Sequence, residues 1–147
     1  MNLQSTIHRS DPMIERNKQT AHDFLAHAFG NRQDQAMALL HADATWWVLG
    51  DPQRLRVSGL RRVPQIQRLL DGVGRSMPAG MSFVVQGITA ESERVAIEIE
   101  AQGQLADGRV YQNRYHFLIE MRDDKVASVR EYMDTLGVHD LSQTSQP

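Results

Sequence analysis

The chain contains no cysteine. That excludes a disulfide framework, a zinc–thiolate site, an iron–sulfur cluster and a cysteine nucleophile, and it fits a cytosolic protein better than a small secreted one. An excess of charge of one sign is lacking too: 16 Lys+Arg stand against 18 Asp+Glu, and the basic residues are scattered rather than blocked. Such a chain presents no net field to nucleic acid or an anionic membrane, and neither is expected as a partner. No apolar run approaches the roughly 20 residues of a membrane span, and the first residues, Met1 to Asp11, hold no apolar secretory core. No low-complexity stretch, repeat or Pro/Gly-rich linker divides the sequence.

What is present is 147 residues, 41% of them hydrophobic. A single domain of that size buries roughly 68–70% of its unfolded surface, enough for a core without covalent or metal staples. A soluble, cytoplasmic protein is expected, with one domain over 11–136 and loose tails at 1–10 and 137–147.

Asp11-Pro12 reads as a helix start, because the carboxylate can accept an orphan N–H and proline needs no donor at the first helical position. Ile14, Ala21, Phe24, Leu25, Ala28 and Phe29 then form one apolar stripe, and Gly30 offers a left-handed stop. A shorter helix is predicted from Asp34 to His41, a strand over Ala44 to Leu49, and a short return strand at Leu55 to Val57. Val63 to Met77 has helical spacing again. Beyond Pro78 the chain turns β-prone in four runs, Phe83–Ile88, Arg94–Gln102, Arg109–Met121 and Lys125–Met133, separated by turn residues such as Asp107-Gly108 and Asp123-Asp124. Helices first and hairpin-linked strands after them argue for an α+β domain with helices on one face of an antiparallel sheet.

The element order, together with Trp46-Trp47-Val48-Leu49-Gly50, Asn113-Arg114-Tyr115-His116-Phe117 and Arg130-Glu131-Tyr132-Met133-Asp134-Thr135, resembles the SnoaL-like branch of the nuclear transport factor 2-like superfamily over about Asn17 to Thr135. Ketosteroid isomerase and limonene epoxide hydrolase are members of that superfamily. The resemblance implies a cone of three helices on a strongly bent, mainly antiparallel sheet, an apolar pocket in its open end, and a homodimer formed through the outer sheet face. A bent sheet needs bulges, so residue parity can slip along a strand. The sequence departs from both named enzymes: the first strand has no carboxylate before Asp51, and Glu98-Ile99-Glu100 stands where the hydrolase pattern has an arginine between acids.

Three acids are the first candidates for proton transfer, and a fourth is their alternative. Asp134 closes the last strand on the parity of Tyr132, near the pocket by resemblance; its other reading is a cap for the turn at Thr135 to Gly137. Glu98 and Glu100 leave one face of their strand, either into the pocket mouth, where burial would raise a carboxyl pKa, or into solvent opposite core isoleucines. Glu131, on the opposite parity from Asp134, becomes the inward acid if a bulge shifts the register. Asn113 and Tyr115 share a face with Phe117 and can orient a ligand carbonyl or hydroxyl, while Trp46 and Trp47 point to opposite faces and only one can line the pocket. Tyr132 completes the ligand-binding candidates.

Arg61 and Arg62, with Arg56 and Arg68 nearby, read as a solvated face or an anion site. No metal-binding or cofactor spacing occurs, and no cofactor is expected. Two functions remain open: a metal-free isomerase, cyclase or hydrolase acting on a small hydrophobic metabolite, or a non-catalytic binding or dimerising accessory protein.

Overall fold

The computed structural model describes residues 11–142. The expected loose segments at 1–10 and 143–147 lie outside them. Helix α1 (Pro12–Phe29) starts as the sequence predicts, with the Asp11 carboxylate accepting from Met13 N at 2.9 Å. Removing this cap by Asp11→Ala is expected to cost about 1 kcal/mol in urea unfolding; an unchanged midpoint would show that the bond contributes nothing. At the other end Gly30 stays at φ −87°, and Asn31, at φ 58°, takes the left-handed position instead. The Asn31 side chain makes this worthwhile, because its amide donates to Met77 O at 2.9 Å and to Pro78 O at 3.1 Å and ties the helix exit to that neighbouring segment.

Helix α2 (Gln33–Ala38) is shorter than predicted, and β1 (Leu40–Val48) begins where the helix was expected to continue. Leu40, expected on a helix face, is instead buried beside Val126 across the strand pair. The predicted return strand at Leu55–Val57 is a turn. Asp51 O accepts from Arg54 N and Leu55 N at 2.9 and 2.7 Å, and the second strand, β2 (Gly59–Arg62), follows it. Helix α3 (Val63–Ser76) and strands β3 (Met81–Glu91), β4 (Arg94–Gln104), β5 (Val110–Arg122) and β6 (Lys125–Met133) agree with the sequence reading to within a few residues. A fourth helix, α4 (Thr135–Ser142), occupies part of the predicted tail.

The six strands form one sheet in the order β2-β1-β6-β5-β4-β3. All neighbours are antiparallel except β1 and β6, which run parallel. Asp123 and Asp124, at φ 53° and 59°, make the two-residue turn between β5 and β6, the backbone whose twist matches a hairpin. A register shift between Val85 and Gly87 on β3 lets Phe83, Val85 and Ile88 all turn toward the helices despite their mixed parity. Such bulges bend the sheet around α1. At Gly80 (φ 76°) a Cβ would sit 2.9 Å from Phe29 O, so the chain needs glycine where β3 leaves the helical layer.

The core lies between the bent sheet and the helices. Phe24 packs on Trp46 at 5.6 Å between ring centroids, and Phe29 meets Tyr115 and Phe117 at 5.6 and 6.0 Å. Among the described residues, no helix is long and apolar enough to cross a membrane.

Candidate active site

Strand alternation turns Trp46 on β1, Tyr111, Asn113 and Tyr115 on β5, and Glu131 and Met133 on β6 to the concave side of the sheet. There all of them but Asn113 line a cavity of about 760 Å3 whose opposite wall is α3 and the end of α1. Val138 and Leu141 of α4 complete the lining, so the segment predicted as a tail helps to close the pocket.

Glu131 is the acid inside. Its open side faces the cavity, and its Oε2 accepts from the Trp46 indole Nε1 at 2.8 Å. Burial pushes its pKa up to about 7, although the Trp46 hydrogen bond and the positive charge of Arg61 both favour the ionised form. The carboxyl therefore sits poised between donor and acceptor near neutrality, the condition under which one group can take a proton and return it.

On the same sheet wall, on the neighbouring strand β5, the hydroxyls of Tyr111 and Tyr115 are hydrogen-bonded to each other. Asn113 Nδ2 donates to Tyr111 Oη at 2.9 Å and to Asp134 O at 3.0 Å, while its Oδ1 accepts from Arg114 N at 2.8 Å. Either phenol can be the donor of that bond, and when Tyr111 donates, the Tyr115 hydroxyl is free to donate to a ligand oxygen. Burial raises the pKa of both phenols, most strongly that of Tyr115, so both stay protonated and available as donors.

The other sequence candidates are placed elsewhere. Asp134 is exposed, and its Oδ1 accepts from Leu136 N at 3.0 Å at the start of α4, the capping role that was its alternative reading. Glu98 and Glu100 point away from the core isoleucines, and Glu100 pairs with Arg114 at 2.9 Å on the outer face. Trp47 and Tyr132 also lie outside, with ring centroids 5.3 Å apart and the Arg130 guanidinium 4.9 Å from the Trp47 ring. Trp46 and Tyr115 are the candidates that line this cavity, and Asn113 stands behind it on the Tyr111 hydroxyl, lining instead a second pocket of about 550 Å3 together with Glu100 and Asp134. Glu131 was legible only as the alternative parity. Tyr111 was missed although it shares the alternation of Asn113 and Tyr115, and Arg61, read from sequence as part of a solvated face or an anion site, lies in the cavity lining.

Among the described residues, no group of three or more His, Asp or Glu is arranged to hold a metal ion.

Residues 21–129 match the SnoaL-like domain, and the chain belongs to this family. No curated protein is a significant match. The fold is shared with an NTF2-like protein from Burkholderia xenovorans (24% identity, 88% of this chain and 98% of that one, TM-score 0.69). It is also that of TerC, crystallised with polyporic acid (19% identity, 86% and 97%, TM-score 0.72). An LEH-like epoxide hydrolase from M. tuberculosis is similar as well (17% identity, 88% and 91%, TM-score 0.71). At these identities the likeness is one of fold.

Proposed function

We propose that the protein is an acid–base enzyme of small hydrophobic carbonyl compounds, with Glu131 moving a proton at the carbon next to the carbonyl. The observation that carries this reading is the Glu131 carboxyl, held by Trp46 within a largely apolar cavity and poised near neutrality on the same wall as a phenol pair. Perturbed acids in such cavities point to catalysis. Fold relatives that include an epoxide hydrolase and a protein crystallised with polyporic acid support the cavity as a small-molecule site.

In the proposed step the Glu131 carboxylate takes the α-proton, the C–H electron pair becomes the new C=C bond, and the carbonyl oxygen becomes an enolate. Tyr115, backed by Tyr111 and Asn113, donates a hydrogen bond to that oxygen, where negative charge develops. Returning the proton from Glu131 to a different carbon gives an isomer. Attack of the enolate carbon on an electrophile in the same molecule gives a ring.

The test uses 2-acetonaphthone in D2O, with NMR following deuterium entry into its methyl group. Exchange above the buffer rate supports the reading. Saturable binding with no exchange, repeated across alicyclic and aryl ketones that fit the cavity, would replace it with the binding-protein reading.

Asp134→Asn separates the two acids. Asparagine also caps helices well, so this variant is expected to keep the wild-type exchange rate and stability. Loss of exchange in a folded Asp134→Asn protein would return the proton-transfer role to Asp134.

A further inference from the structure

One wall of the cavity is basic. Arg56, Arg61, Arg68 and Arg75 all line it, against Glu131 as the acid in the lining. Arg56, Arg68 and Arg75 are exposed, and their stems can cover apolar surface while the heads stay in water. Arg61 differs from these three. It sits on β2 directly opposite Trp46 in the antiparallel register, which turns its side chain to the cavity side of the sheet. Its Nη2 donates to Arg56 O at 3.3 Å, but Nη1 is buried with no hydrogen-bond partner. Burial lowers the pKa of this guanidinium, and the charge of Glu131 offsets only part of that penalty.

A half-buried guanidinium with one buried donor unsatisfied carries a desolvation cost that the charge of Glu131 offsets only in part. An anion bound in the cavity supplies the missing acceptor.

We propose that Arg61 is the centre of an anion subsite that binds a carboxylate on the substrate, so that the preferred substrates are hydrophobic carbonyl compounds carrying a carboxylate group. The proposal rests on the cavity being the substrate site. Arg56, Arg68 and Arg75 add attraction for an anion at the same wall, and Glu131 lies on the far side of Trp46, where β6 pairs with β1. A singly charged carboxylate suits this cavity better than a phosphate dianion because Glu131 repels the second charge. Arginine can also bind a carboxylate through two parallel N–H donors. The substrate then lies with its anionic end at β2 and its reacting carbonyl between Glu131 and Tyr115.

Calorimetric titration of the full chain at pH 7 with three matched probes, 2-naphthoate, 2-acetonaphthone and 2-naphthyl phosphate, tests this. A charge-assisted hydrogen bond predicts that 2-naphthoate binds about tenfold more tightly than 2-acetonaphthone. Arg61→Met should abolish that preference, read as the ratio of acid to ketone affinity within the variant, and Arg61→Lys should restore part of it. The wild-type ratio decides the matter even where a variant fails to fold. Equal affinity of the acid and the ketone overturns the anion subsite and leaves the cavity reading standing. Tighter Arg61-dependent binding of the phosphate overturns the carboxylate assignment. Failure of every probe to bind removes the cavity reading and this proposal with it, whereas acid preference without deuterium exchange retains the subsite and removes only the catalytic step.

Discussion

Glu131→Gln is expected to reduce deuterium exchange into a bound ketone by about 10²- to 10⁴-fold, the usual contribution of a positioned general base. Glutamine keeps an oxygen for the Trp46 indole and nearly the same volume, so probe affinity and the circular dichroism spectrum should stay as they are. The wild-type rate should rise with pH through about 7, where the carboxyl ionises, and then level off. The variant should lack that inflection. A Glu131→Gln protein with full exchange activity would remove the carboxyl from the mechanism, and an inflection near 4 would mean that a solvated acid does the work.

The second large effect concerns stability. In the unfolded chain Glu131 ionises at its ordinary value of 4.5, and in the folded protein only at about 7. Between those values the folded state binds more protons, so stability falls as pH rises through that window. The full penalty, on the order of 3 kcal/mol, is present above the folded value and absent below the unfolded one. Glu131→Gln should therefore be more stable than the wild type at pH 8 by up to about that amount, with little difference at pH 4. Parallel urea titrations at the two pH values measure it, and the difference between the proteins isolates this group from the other titrating residues. A constant difference across the range would show that the carboxyl is better solvated than its place between Trp46 and the cavity implies.

Most of the fold was legible from local pattern. The Asp11-Pro12 start, the α1 stripe, the four later strands and the Asp123-Asp124 turn each follow from a few neighbouring residues. The misread stretches depend on distant partners. Leu40 fits a helix face and a strand equally well until Val126 arrives beside it. Val138 and Leu141 have no local reason to order, and they become useful only as the lining of a cavity built by other elements. The site follows the same rule. The face of each β5 residue was readable because Tyr111 to Ile119 alternate cleanly between buried and exposed. On β6, Glu131 and Asp134 occupied opposite faces, and each parity had a plausible acid. What separates them is the indole of a residue 85 positions away, which alternation cannot reveal.

That long separation also bears on how the protein comes together. The β1–β6 pairing is the parallel step in an otherwise antiparallel sheet, and it joins the front of the chain to its last strand. Closing so large a loop costs entropy before any contact repays it, whereas the hairpins from β3 through β6 close locally. The expected folding order therefore has the later meander forming first and β1 docking against it afterwards. Trp46 then meets Glu131 as one of the final contacts, so the chemical centre matures with the last closure of the chain, and a partly folded chain holds the acid without the indole that fixes it.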